Sequence, residues 1–181
     1  MIKVENKTAP GIAAAVTKEQ VVKFIEVMVE YYFRAGVLYA TSDQGEGYLA
    51  FWEKTSQPAL RHSLHMIIRF LRELPLKTCM TFARSSAGLC EKLFKKEKNY
   101  VMVSMVVVLK EFQGRGLMRK VLELPFSEAE KKGIYCILDT DTELKVKKYT
   151  RRGMEKVGEQ KHPSGVTIYA MAYRKGDGHE K

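Results

Sequence analysis

The residues best placed to do chemistry are Gln113, Gly114, Arg115 and Gly116, inside the stretch VMVSMVVVLKEFQGRGLMRKVLE. An apolar, β-branched run ends there in a charged loop, and a helical pattern follows. Glycines at such a junction remove Cβ atoms where the backbone must adopt positive φ or come close to something. The N-terminus of a helix presents unpaired N–H groups and the positive end of its dipole. Together these features predict an anion site, most naturally for a pyrophosphate, with Arg115 and Arg119 as charged reinforcement. A P-loop needs GxxxxGK[ST], which the chain lacks. A dinucleotide fingerprint needs GxGxxG after an early strand. Here the third glycine is missing and the motif comes late.

The elements around that loop follow from periodicity. TKEQVVKFIEVMVEYYFRAG predicts a helix with capping-box spacing at Thr17 and Gln20 and a stop at Gly36. VLYATSDQGEGYLAFWEK predicts a β-hairpin. Positions 61–98 are helical in pattern, broken at Pro75 and again around 85–88. YVMVSMVVVL predicts a central strand buried on both faces. The helix after Gly116 should be kinked or broken by Pro125. GIYCILDT is a second buried strand, ELKVKKYTRRG a short helix, and the C-terminal segment a hairpin turning at 162–165. Positions 176–181 read as a disordered tail. A strand–helix–strand unit requires parallel pairing, whereas the hairpins are antiparallel. The expected fold class is therefore α/β: one domain over 1–175 with a mixed sheet, helices on both faces and a helical insertion at 61–98.

At 181 residues the chain is long enough for one domain with a real core. Its net charge of +10 favours an anionic partner: nucleic acid, an anionic membrane surface or a phosphorylated cofactor. The charge also fits plain solubility, because most basic residues are scattered. The three cysteines, Cys79, Cys90 and Cys136, lack CxxC spacing and read as reduced thiols. No secretory h-region or membrane-spanning run is present in the sequence, so a cytoplasmic protein is expected, with no membrane partner. His62 and His65 form an HxxH without a third ligand, and no metal is expected.

Two separated motifs resemble the GNAT superfamily of N-acetyltransferases. VVVLKEFQGRG is similar to the family's V-x-P-x-x-QGxG, with Lys110 where proline is usual. ILDTDTELKVKKYTRRGMEKVGE is similar to its LETS…N…LY-x-[KR]-x-GF-x-x-x-G. Met118 replaces a small residue and is expected to crowd the loop; Lys145 stands for asparagine and Met154 for phenylalanine. The resemblance spans roughly 100–173 and leaves the insertion unexplained.

The resemblance implies a central, mostly antiparallel mixed sheet with one splayed parallel pair. It implies acetyl-CoA as co-substrate and transfer of acetyl to a primary amine, expected to be that of a small molecule, by direct attack in a ternary complex. Backbone of Val106, Val107 and Val108 would pair with the pantetheine arm. Gln113, Gly114, Arg115, Gly116, Leu117 and Met118 would hold the pyrophosphate, with Lys145 adding field. Tyr149 would touch the cofactor and protonate the leaving thiolate. Each position has a plainer role as well: core strand for Val106–Val108, a packed helix tyrosine for Tyr149, a solvated basic face for 145–152. The family's strand carboxylate is missing, since VMVSMVVV offers only Ser104. Glu53, Glu26 and Glu30 are the candidate bases, with Glu53 first. Tyr31, Tyr32, Phe33, Tyr48, Phe51 and Trp52 are candidates to line an acceptor pocket or simply core. A non-catalytic acyl-CoA-binding module and a basic nucleic-acid-binding protein are the competing functions, the latter without a supporting motif. An exposed C-terminal hairpin edge points to a homodimer.

Overall fold

The first helix starts where its cap requires. In the computed structural model, which describes residues 16–85, 88–161 and 166–176, α1 runs Lys18–Arg34. Thr17 Oγ1 accepts from the Gln20 amide at 3.3 Å, and Gln20 Oε1 accepts from the Thr17 amide at 3.1 Å. The hairpin follows as β1 (Leu38–Ala40) and β2 (Gly47–Glu53). The insertion holds α2 (Leu60–Glu73), α3 (Leu76–Ser85) and α4 (Leu89–Leu93). Then come β3 (Tyr100–Val108), α5 (Leu117–Lys132), β4 (Tyr135–Thr140), α6 (Glu143–Thr150), β5 (Glu155–Lys161) and β6 (Thr167–Tyr173). The expected turn at 162–165 and all of the expected tail but Gly176 lie outside the described residues.

The six strands form one sheet in the order β1-β2-β3-β4-β6-β5. Among the described residues only β3 and β4 pair in parallel. Side chains alternate between two cores, as strand geometry demands. Val101, Val103, Cys136 and Leu138 pack with Val121, Leu122 and Ala129 of α5 and with Tyr149 of α6. Tyr100, Met102 and Ile137 pack on the other face with Leu89 and Cys90 of α4.

Three expectations change on contact with the structure. Pro125 does not break α5: the helix continues through it, with the ring buried on the sheet side. Its missing N–H removes only the bond to the Val121 carbonyl, and packing compensates. β3 is buried on both faces only in its first half; Ser104 is exposed and Val107 is 37% exposed. The physical reason is that β4 leaves β3 there. Met118 does not crowd the loop, because its side chain turns inward and packs on the α5 core.

β5 lies at the sheet edge, and its exposed residues include Glu155, Lys156, Glu159 and Lys161. Charges of this kind blunt an edge against strand-to-strand pairing.

Candidate functional site

β3 and β4 pair through Tyr100–Tyr135, Val101–Cys136 and Met102–Ile137, and no further. β3 meanwhile stays attached to β2 to its end, where Val106, Val107 and Val108 face Leu49, Tyr48 and Gly47. The register between β2 and β3 shifts between Ala50 and Phe51, which leaves Ser104 as a bulged residue. From Ser104 onward β3 therefore has a neighbour on one edge only. Its second edge is a row of backbone groups that need partners. This is where Val106–Val108 were expected to receive an extended ligand.

The strand runs directly into the loop. The Gln113 side-chain Nε2 donates to the Val108 carbonyl at 3.0 Å and ties the loop back to the strand end. Gly114 has φ +82° and Gly116 φ +77°, and a Cβ on either would meet nothing within 4 Å. The glycines are thus required by backbone conformation and not by crowding from the protein itself. Gly116 caps α5 without any side-chain cap hydrogen bond, so the first N–H groups of the helix point into open space. The donor set and the clearance fit a pyrophosphate. Arg115 lies over the Phe112 ring at 5.4 Å. Arg119 sits 3.8 Å from Glu123 on an exposed surface. Lys145 is bound to Asp141 at 2.6 Å, so its charge is already matched within the chain.

Tyr149 is buried, at 8% exposure, and shares the core of Val103, Leu138, Val106 and Val108. Burial, with a contribution from Asp141, pushes its phenol up to about 12. The proton is therefore retained throughout the neutral range, which is the state an acid needs.

Glu53 is not brought to this site. It pairs with Val101, at the closed end of the β3–β4 pair, three residues upstream of Ser104 and about 10 Å along the strand. Its carboxylate bonds Lys132, and Asn99 Nδ2 donates to it at 2.9 Å. Those two partners hold it below the usual carboxylate range. A carboxylate locked in this way serves the end of α5 and not the cleft. Glu30 is likewise occupied, by Arg34, Arg69 and His65 on the α1–α2 contact. Glu26 pairs with Lys23 at 3.5 Å. His62 accepts from Arg61 at 3.3 Å. The described residues contain no cluster of three or more metal-ligating side chains.

The structure gives Ser104 a place and adds one group that the sequence alone did not single out, Asp139. Continuing two residues beyond the last parallel pair reaches Ser104 on β3 and Asp139 on β4. Both lie on the face of Met102 and Ile137, at the two sides of the opening. Ser104 Oγ is 2.7 Å from the Tyr32 hydroxyl, whose pKa burial raises to about 12. Asp139 Oδ1 accepts the Cys90 amide of α4 at 3.0 Å. Of the expected acceptor aromatics, Tyr31, Tyr32 and Trp52 gather on this side, with ring centroids 5.3 and 6.1 Å apart. Phe51 is buried against Tyr39, and Phe33 is 75% exposed.

No family model matches the chain, and no curated protein matches it. Solved structures do. An N-acetyltransferase from Staphylococcus aureus Mu50 aligns over 89% of this chain and 84% of its own, at 15% identity and TM-score 0.57. Arylalkylamine N-acetyltransferase 2 from Aedes aegypti aligns over 83% and 78%, at 15% identity and TM-score 0.56. Nourseothricin acetyltransferase aligns over 41% of this chain, which spans only 49% of that one, at TM-score 0.38. A mixed six-stranded sheet with one parted parallel pair, and a glycine loop at the exit of its central strand, gives this chain the fold of the GNAT N-acetyltransferases.

Proposed function

We propose that this chain is an acetyl-CoA-dependent N-acetyltransferase that transfers acetyl to a primary amine. The observation that carries the reading is the continuity of the unpaired β3 edge with the Gln113–Met118 loop. An extended, amide-bearing arm that ends in a pyrophosphate matches both parts at once. The solved structures of similar fold include an arylalkylamine N-acetyltransferase, which supports an amine as acceptor.

The roles follow from position. Main-chain groups of Val106, Val107 and Val108 pair with the pantetheine amides. The N–H groups from Gly114 to Met118 bind the pyrophosphate. Asp139, whose Oδ1 is held by the Cys90 amide, uses Oδ2 to take the proton of the attacking ammonium. The amine nitrogen forms its bond to the acetyl carbon while the carbon–sulfur bond breaks. Tyr149 gives its phenol proton to the departing thiolate, and the second proton lost from the amine nitrogen passes through water to restore the phenol, leaving a neutral amide and the CoA thiol. Tyr31, Tyr32 and Trp52 line the acceptor side, with Ser104 fixed by Tyr32. A positioned acid or base of this kind contributes about 10²–10⁴ in rate.

Titration calorimetry of acetyl-CoA and CoA tests the cofactor half, with Gly116→Glu alongside. Binding by the wild type that is lost in the variant supports the site; no binding by the wild type overturns it. Thiol release with a panel of amines tests turnover. Cofactor binding without release for any amine would favour the non-catalytic acyl-CoA module, a reading motivated by the absence of a carboxylate on β3.

A further inference from the structure

The insertion carries a helix turned the wrong way round. α2 meets α1 through polar groups: Arg69 bonds Glu30, and His65 lies 3.3 Å from Glu30. Phe70 also stacks on Phe24 at 5.3 Å. The apolar side looks outward. Leu60 is 83% exposed, Leu64 58%, Ile67 48%, Ile68 41% and Leu71 57%, and no residue of α2 is buried. These positions recur at i, i+4, i+7, i+8 and i+11, which is one continuous helical stripe. Leu76 and Met80, 64% and 45% exposed, extend the pattern onto α3 at i, i+4. Single exposed leucines need no explanation, but a stripe this long marks a surface that meets another apolar phase.

The charge beside the stripe identifies that phase. Arg61 and Arg72 are both exposed and, eleven residues apart, fall within about 20° of each other on the helix, along one margin of the stripe. Lys77 is exposed at the start of α3. The acidic residue of α2, Glu73, is paired with Arg69. The chain as a whole carries +10.

We propose that α2 and the start of α3 dock on an anionic lipid surface. The leucine and isoleucine stripe enters the headgroup–acyl boundary, and Arg61, Arg72 and Lys77 sit at the level of the lipid phosphates. The proposal departs from the expectation of no membrane partner, which rested on the lack of a spanning run; this contact lies in the plane of the interface. A second copy of the chain fits less well. Antiparallel pairing of two stripes would bring Arg61 of each helix against Arg72 of the other, repeating a like-charge contact twice. Lipid phosphates neutralise what a second copy would double.

Sedimentation of the full chain with vesicles tests this. One set is phosphatidylcholine alone, the other equal parts phosphatidylcholine and phosphatidylglycerol. The expected result is binding to the anionic set only, weakened by salt. The double variants Leu64→Gln/Ile67→Gln and Arg61→Gln/Arg72→Gln should each lower the partition coefficient at least about tenfold, with unchanged far-UV circular dichroism. These positions are exposed, so folding is retained. No binding to anionic vesicles overturns the proposal, as does binding that the variants leave intact. A dimer in light scattering that Leu64→Gln/Ile67→Gln abolishes assigns the face to a second copy. Vesicle binding that appears only after removal of residues 1–15 assigns it to that segment. Either outcome overturns the proposal, and none depends on acetyl-CoA binding.

Discussion

Two substitutions at Gly116 separate backbone strain from electrostatics. With φ at +77°, any L side chain there costs about 1–2 kcal/mol in the left-handed region. A Cβ would meet nothing within 4 Å, so no steric cost is added in the free protein. Gly116→Ala and Gly116→Glu should therefore both lower the unfolding temperature by a similar amount, roughly 2–8 °C for a chain of this size. A glutamate at a helix N-terminus recovers a few tenths of a kcal/mol from the dipole, which makes the Glu variant slightly the more stable of the two. Cofactor binding should order them the other way. A carboxylate about 5 Å from a pyrophosphate charge, at an effective dielectric near 20, repels it by about 3 kcal/mol. That corresponds to roughly a hundredfold loss of CoA affinity beyond whatever Gly116→Ala loses. Calorimetry gives the affinities, and thermal melts without ligand give the strain. Equal CoA affinity for the two variants would refute the reasoning, because no phosphate could then lie against this loop.

Tyr149→Phe should lower kcat by about 10²–10⁴ while leaving the CoA dissociation constant unchanged, read from thiol release and calorimetry together. Asp139→Asn keeps an acceptor for the Cys90 amide and should retain the fold, yet lose about 10² or more in kcat/KM at neutral pH. Glu53→Gln should leave turnover intact and cost at most about 1 kcal/mol of stability through its bond to Lys132; the reverse order of the two carboxylates would restore Glu53 as the base. Tyr32, Tyr149 and Tyr173 all have phenols raised to about 12, chiefly by burial. Their unfolded value is near 10, so the folded chain holds these protons more tightly. That stability is complete below pH ~10 and is lost as pH rises towards ~12, a window that melts at stepped alkaline pH should reveal. Gly47→Ala sets a Cβ 2.9 Å from Val121 Cγ2 and 3.2 Å from the Val107 carbonyl. It should cost about 1–3 kcal/mol, measured by urea unfolding.

Much of the fold was legible because local signals agreed. The Thr17 capping box, the two hairpins and the apolar runs around the glycine loop each pointed to the element that formed. The loop was legible for a different reason: positive φ leaves a compositional trace in Gly114 and Gly116. The base was not. Glu53 looked available because a sequence does not show that Lys132, 79 positions away, returns to its side. Asp139 did leave a signal, as the lone charged residue of the strand Tyr135–Thr140. Its meaning depended on where β3 and β4 part, and that is set by register. The outward stripe of α2 was read correctly as a helix, but periodicity marks an apolar face without saying what covers it.

In the proposed function the parted strands and the glycine loop work as a single device. Had β4 followed β3 to its end, Val106–Val108 would have been ordinary core and the loop an isolated anion site. The bulge at Ser104 shifts the pairing of β3 with β2, and beyond it β3 and β4 no longer share hydrogen bonds. Unpaired backbone groups within an otherwise closed sheet cost free energy unless something bonds them. Water can, but an extended chain with its own amides does so while also burying Val107, which is 37% exposed. The same strand then delivers that chain's far end to the N–H groups at Gly116. On the proposed function, affinity comes mainly from backbone, which tolerates changes such as Met118 and Lys110. The proposed chemistry rests on the few side chains at the opening: Tyr149 on one face of the sheet, and Asp139, with Ser104 held by Tyr32, on the other.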